Sequence, residues 1–212
     1  MARAIIFDLD GTLWDASASC ANAWNHALRD IGAHDQSISP ATVRAFSGLR
    51  IQHVLEQFFS FVPTELHSDL LESYRLHEPE ELKIQGGTLY PGVKETLTDL
   101  ARDYKLLIVS NCLKGYIPIF LSFHQLDPFF AGHECSGNTG LPKHENIRRL
   151  MTQHSVSKTC YVGDTHWDQE AAAVNSIPFV FAAYGFGSVA NPTHQVMSFQ
   201  ELRDLCGKLL PG

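Results

Sequence analysis

Apolar residues along this chain fall into two rhythms. Short unbroken runs at 4–7, 106–109, 160–163 and 179–183 are rich in Ile, Val and Phe. They are too short for helices and stop at polar or Gly residues, so they predict strands buried on both faces. A weaker strand pattern covers 129–135. Elsewhere the spacing is helical. Residues 17–32 place Ala18, Ala21, Trp24, Leu28 and Ile31 on one face and stop at Gly32. Ser39-Pro40 supplies an N-cap with Pro at the first helical position, opening a short helix to Phe46. Ser47-Gly48-Leu49 breaks it, and helices over 51–59 and 64–77 follow. Nothing between Trp14 and Leu82 reads as a buried strand.

After Gln85-Gly86-Gly87 the pattern changes. Tyr90-Pro91-Gly92 begins a helix with Val93, Leu97, Leu100 and Tyr104, and from there strands alternate with helices at 117–123, 144–154, 168–174 and 199–210. Alternation of this kind implies parallel βαβ units in a sheet covered on both sides, an α/β fold. One helical block interrupts it immediately after the first strand. That position places the block over the strand's C-terminal end as a lid, with a core of 1–14 and 86–212 and a helical cap of 15–85.

The first strand runs into Asp8-Leu9-Asp10-Gly11-Thr12. In an extended segment Asp8 and Asp10 share a face, but the turn at Gly11 splays them, so that one attacks while the other moves a proton. A polar strand end with a Gly turn is the bland alternative. The other strands also end in chemistry: Ser110-Asn111 after the second, Gly163-Asp164 with Asp168 one turn later after another, and a lone Lys143 at a helix start. Ligands in open α/β sheets bind outside the carboxyl ends of the strands, so these residues converge. Four acids at one sheet edge repel one another without a cation, and hard oxygen donors suit Mg²⁺ rather than zinc. Asp168 also has the alternative reading of a helix N-cap residue.

Composition removes other classes. With 212 residues, 44% of them hydrophobic, the chain buries a sizeable core. A formal charge of -7 with no basic stripe argues against nucleic acid. The five cysteines lack a Cys-x-x-Cys pair and sit largely in apolar runs, as buried thiols of a reducing compartment do. No apolar run is long enough to span a bilayer, and the first strand leaves no room for a signal peptide, so a cytoplasmic protein without membrane contact is expected, a monomer or homodimer. The 11 histidines show no pair four apart of the kind a helical zinc site uses. Gly185-Phe186-Gly187-Ser188-Val189-Ala190 matches a relaxed dinucleotide fingerprint, but Asn191-Pro192 cuts off the helix it requires. A turn bordering the active site is the better account.

The ordered set Asp8-x-Asp10-Gly11-Thr12, Ser110, Lys143 and Gly163-Asp164-x-x-x-Asp168 resembles the four motifs of the haloacid dehalogenase superfamily across nearly the whole chain. The helical insertion resembles that family's small cap, and Tyr90-Pro91-Gly92-Val93 is similar to its phosphoglycolate-phosphatase-like branch. The resemblance implies a Rossmann-like parallel sheet core with an inserted α-helical cap. It implies Asp8 as nucleophile, forming an aspartyl-phosphate, and Asp10 as general acid and base. It further implies Mg²⁺ on Asp8, Asp164 and the Asp10 carbonyl, with Asp168 nearby, and Ser110 and Lys143 on the phosphoryl oxygens. Thr12 and Asn111 join the expected substrate contacts. Lys143 follows Pro142, where many members have Lys-Pro, and Asn175 stands where Gly is common. In the cap, Arg44, Arg50 and His53 surround the Gly48 break, where relatives place substrate-reading side chains; Arg50 is the candidate. The implied activity is a Mg²⁺-dependent phosphatase acting on a small phosphorylated metabolite such as phosphoglycolate or a sugar phosphate. A phosphomutase of the same family and a non-catalytic binding module are the alternatives.

Overall fold

The computed structural model describes residues 2–211. Chain order begins with β1 (Ala2–Phe7) and β2 (Trp14–Asp15), followed by α1 (Ser17–Asp30), α2 (Pro40–Phe46), α3 (Ile51–Phe58) and α4 (His67–Ile84). The chain re-enters through β3 (Thr88–Leu89), then α5 (Val93–Leu100), β4 (Lys105–Ser110), α6 (Tyr116–His124), β5 (Phe130–Cys135) and α7 (Ser136–Thr139). It closes with α8 (Lys143–Gln153), β6 (Val156–Gly163), α9 (His166–Val174), β7 (Phe179–Ala182), β8 (Gln195–Val196) and α10 (Leu202–Leu209).

Six strands form one parallel sheet in the order β5-β4-β1-β6-β7-β8. Strand β1 lies inside it, pairing with β4 on one side and β6 on the other. The chain first builds outward from β1 through β4 to β5, then crosses back to β6. The carboxyl end of β1 therefore sits where the winding reverses, the place at which open α/β sheets leave a crevice. Alternation along each strand feeds two apolar layers. Ile5, Phe7, Leu106, Ile108 and Val162 pack on one face, and Ala4, Ile6, Leu107, Val109 and Tyr161 on the other. Both faces are buried, which explains why the strands read as continuous apolar runs.

The predicted helical block is present, and its apolar stripe is continuous with one sheet face. Trp24 of α1 stacks on Tyr74 of α4 at 3.7 Å between ring centroids, with Phe59 4.3 Å away on the same indole. Phe46 of α2 packs edge-on against Trp24. Ser39 caps α2 by accepting the Thr42 N–H at 3.1 Å, with Pro40 at the first helical position as the sequence predicts.

Several elements depart from the sequence expectation, among them the short helix α7 at Ser136–Thr139. Trp14–Asp15 pairs antiparallel with Thr88–Leu89, so the two chain crossings into and out of the helical block form a short ribbon. Two residues carry no readable period, hence the omission. Helix α4 continues past His77 to Ile84 through Pro79. Proline removes one backbone donor but does not end the helix, because Glu78 and Leu82 on either side of it are buried and hold the next turn in place. The edge strand β8, again two residues, follows a loop the sequence gives no reason to order. Among the described residues, no helix is long and apolar enough to cross a membrane.

Trp24→Ala removes the ring on which α1, α2 and α4 converge. The substitution is expected to cost about 3–5 kcal/mol, the range for emptying a large aromatic site. Equilibrium urea unfolding of the two proteins measures it.

Candidate active site

Strand β1 ends by delivering Asp8 into the reversal crevice, where it is 2% exposed. Its backbone N–H still donates to the Val162 carbonyl at 2.8 Å, so the carboxylate is held by sheet pairing up to its own Cα. Gly163 ends β6 next door and hands Asp164 to the same space. Helix α9 then begins with a capping box. The Thr165 N–H and Oγ1 both donate to Asp168 Oδ2, at 2.9 and 2.7 Å. Asp168 is therefore not the N-cap that its alternative reading allowed: Thr165 caps the helix, Asp168 stands at the third helical position as the reciprocal acceptor, and its other oxygen accepts from Lys143.

One carboxylate oxygen from each of Asp8, Asp164 and Asp168 lies within 4.8 Å of the others, all three residues buried. Lys143, the first residue of α8, enters this group. Its Nζ donates to Asp168 Oδ1 at 2.6 Å and stands 3.0 Å from Asp8 Oδ1. The second approach lies off the hydrogen-bond direction, leaving Asp8 Oδ1 a buried oxygen without a directed donor. Burial alone would lower the Lys143 pKa, but the Asp168 and Asp8 charges outweigh it and hold the ammonium well above its ordinary value. Burial, then the Asp168 charge, pushes Asp8 well up against the pull of Lys143. Asp164 is raised to about 7 by burial and the Asp168 charge.

Glycines make the close approach possible. Gly11 has φ +79°, and a Cβ there would run into the Asp164 carboxylate. A Cβ on Gly185 would strike Asp164 and the Gly11 carbonyl. The loop after β7 can then wrap Asp164: the Phe186 and Gly187 N–H groups donate to its Oδ2 at 2.8 and 3.2 Å. The glycine pattern at 185–187 is therefore a turn bordering the site, as the sequence indicates.

Asp10 points elsewhere. Its Oδ1 accepts a 2.6 Å hydrogen bond from the Tyr116 hydroxyl, and its carboxylate is not one of the clustered three. Burial raises its pKa to about 6, with the Tyr116 hydrogen bond opposing. The Gly11 turn does splay the two acids, placing Asp8 against Lys143 and Asp10 against Tyr116.

The remaining expected residues divide. Ser110, at the end of β4, is buried and lines the cavity beside Asp8. Thr12 Oγ1 turns to Asp164 Oδ1 at 3.5 Å. Asn111 spans two elements, its Nδ2 donating to the Gly48 carbonyl at 2.9 Å and its Oδ1 accepting from Ser136 Oγ at 2.7 Å. Arg50 donates to the Gly140 carbonyl at 2.9 Å. Asn111 and Arg50 both tie the helical block to the sheet in this structure. Arg44 is engaged by Asp15 at 2.8 Å, and His53 is exposed.

Between the helices and the sheet lies a cavity of about 90 Å³. Asp8, Asp10 and Ser110 form its floor, while Trp24, Val43, Phe46, Ile51 and Val54 contribute apolar walls from α1 to α3. Two lining residues escaped the sequence reading. Tyr116 opens α6 after a Gly and looks there like any apolar helix residue. Glu78 carried a signal: Leu70, Tyr74, Glu78 and Leu82 recur every four residues, which puts an acid in an apolar stripe. Its Oε1 accepts from Tyr74 Oη at 2.7 Å, and burial lifts its pKa to about 8, against that hydrogen bond.

A doubly wound sheet with carboxylates and a lysine gathered at the carboxyl ends of its inner strands defines an α/β enzyme core. The chain belongs to the haloacid dehalogenase-like hydrolases, whose family model matches residues 5–182. It is 28% identical over 195 residues to a phosphoglycolate phosphatase of Aliivibrio fischeri, covering 87% of this chain and 85% of the relative. It is 31% identical over 185 residues to the phosphoglycolate phosphatase of Vibrio cholerae, covering 80% and 79%. The fold matches a haloacid dehalogenase-like hydrolase from Streptococcus pneumoniae with a TM-score of 0.84 at 22% identity, over 97% of this chain and 98% of the other.

The buried acid of α4 has a consequence for stability. An unfolded Glu titrates near 4.5, whereas folded Glu78 holds its proton to about 8. Between those values the folded state binds the extra proton, so stability falls as pH rises and levels off above pH 8. Glu78→Gln keeps the acceptor for Tyr74 and removes the titration. The variant is expected to gain roughly a few kcal/mol relative to the parent between pH 5 and pH 9, read as a flatter dependence of Tm on pH.

Proposed function

We propose that this hydrolase is a Mg²⁺-dependent phosphatase that cleaves a small phosphomonoester through an aspartyl-phosphate on Asp8. The observation that carries the reading is the Lys143 ammonium set between Asp8 and Asp168, beside Asp164, with Asp8 itself lining a cavity that also reaches Asp10.

The donor set fits a hard divalent cation. With the three buried carboxylates ionised, the one ammonium does not balance them, and the raised pKa values of Asp8 and Asp164 reflect burial together with that deficit of positive charge. Asp8 Oδ1 lacks a directed donor, while Asp168 already accepts from Lys143, Thr165 N and Thr165 Oγ1. Asp8 and Asp164 are therefore the carboxylates that would hold Mg²⁺, and since Tyr116 occupies the Asp10 carboxylate, any contribution from Asp10 falls to its main-chain carbonyl. When bound, the cation offsets charge on the phosphoryl group.

The chain's own groups then divide the steps. A carboxylate oxygen of Asp8 attacks phosphorus and the bond to the leaving alkoxide oxygen breaks, while Lys143 and Ser110 bind phosphoryl oxygens. Asp10 gives its proton to that leaving oxygen. In the second step Asp10, now ionised, takes a proton from water, the water oxygen attacks phosphorus, and Asp8 is released with inorganic phosphate. A pKa near neutrality suits an acid that must work in both directions. Asp168 acts through Lys143, fixing its position and charge. The family match and the phosphatase names of the relatives support the same reading. Residues 15–85 would serve as the cap over a core of 1–14 and 86–212.

Hydrolysis of p-nitrophenyl phosphate is expected to require Mg²⁺, to stop on adding EDTA, and to fall by about 10³-fold or more in Asp8→Asn, as for loss of a nucleophile. Activity that survives Asp8→Asn in a folded protein would overturn the assignment.

A further inference from the structure

The alcohol end of the cavity differs in chemistry from the phosphoryl end. Glu78 of α4 lines it, 5% exposed, with Oε1 bonded to Tyr74 and no cation paired with it among the described residues. Among the described residues, the cavity lining contains no Lys, Arg or His. Apart from Glu78, its charged groups are Asp8 and Asp10, and its other walls are chiefly aromatic and aliphatic. Outside the lining, Arg44 pairs with Asp15, Arg50 donates to the Gly140 carbonyl while its Nε has no partner among the described residues, and Lys143 pairs with Asp168 and Asp8 at the other end.

We propose that Glu78 determines specificity, selecting phosphomonoesters whose alcohol carries a hydroxyl or ammonium donor and no second acid group. The proposal rests on the phosphatase reading above. A carboxylate on the leaving alcohol, as in phosphoglycolate, would be stripped of water against apolar walls with no cation to meet it. Ionised, Glu78 repels such a group; protonated, it offers a single donor and no charge. A hydroxyl or ammonium finds an acceptor on Glu78 in either state, and an ammonium also gains from the aromatic rings of Trp24 and Tyr74 in the lining. Burial and the Asp10 charge keep this carboxyl protonated to about pH 8 in the empty pocket, a state that a bound ammonium reverses. Being small, the cavity suits a short alcohol. The chain would thus differ in substrate from the relatives that share its machinery.

The test compares kcat/KM with Mg²⁺ for glycerol 3-phosphate, O-phosphoethanolamine and 2-phosphoglycolate. At least one donor-bearing ester is expected to exceed phosphoglycolate by about tenfold or more, since a site that hydrogen-bonds its substrate rejects partners that leave it unpaired. Glu78→Gln, which presents an amide N–H₂ to a carboxylate, is expected to narrow that ratio by about threefold or more. The wild-type ratio stands even if the variant does not fold. Phosphoglycolate equal to or better than both other esters, or an unchanged ratio in folded Glu78→Gln, overturns the specificity assignment alone. Failure to hydrolyse all three esters and p-nitrophenyl phosphate overturns the phosphatase reading, and this inference with it.

Discussion

The ammonium of Lys143 is the charge on which the rest of the site depends. Asp8, Asp164 and Asp168 are buried together, and without compensation at least one of them would have to give up its charge. Lys143 touches two of the three, at 2.6 and 3.0 Å. Removing one partner from such a buried set is costly, on the order of 3–5 kcal/mol, because the remaining charge has no water to turn to. The pairing also orders the backbone. Lys143 opens α8, Asp168 lies in the first turn of α9 and Asp8 ends β1, so one cation fixes the relative positions of three elements from distant parts of the chain.

Compensation is incomplete in a useful way. The Asp168 contact is a directed hydrogen bond, whereas the Asp8 contact is close but misaligned. Asp8 keeps an oxygen free of any directed donor, which the proposed attack on phosphorus requires. Asp168, saturated by Lys143 and by both donors of Thr165, is the least free of the three. Backbone economy follows the same logic. The Gly11 turn and the Gly185 turn let main chain come within reach of Asp164, and two peptide N–H groups hold one of its oxygens while the Thr12 hydroxyl turns to the other.

Much of this was legible in the sequence because the strands are short, doubly buried and end in the reactive residues. The runs ending at Asp8, Ser110 and Gly163-Asp164 located both the sheet and the site edge. The Ser39-Pro40 cap and the helical stripe through Trp24 placed the inserted block. What escaped the reading depends on tertiary placement. Two-residue strands such as Trp14–Asp15 have no period to detect. Pro79 argues for a helix end by local rules, yet the buried stripe through Leu82 overrides it. Tyr116 cannot be distinguished from a core aromatic until Asp10 is found 2.6 Å from its hydroxyl. Asn111 and Arg50 were expected at substrate; here each reaches across to main-chain carbonyls, a use that side-chain type alone does not reveal.

The two ends of the cavity also differ in how freely their residues can be exchanged. At the carboxyl ends of the strands the charges are packed together: Lys143 stands 2.6 Å from Asp168 and 3.0 Å from Asp8, so changing one of these groups leaves a buried partner uncompensated and little variation is tolerable there. Glu78 is 70 residues further along the chain than Asp8, on a helix that contributes nothing to the Lys143 cluster. Its hydrogen bond is to Tyr74, one turn earlier on the same helix. An acid held by its own helix can be exchanged without breaking a contact of the Lys143 cluster. Under the proposed reading, selectivity would then vary in the helical block while the groups at the carboxyl ends of β1, β4 and β6 stay fixed, a physical benefit of inserting that block directly after the first strand.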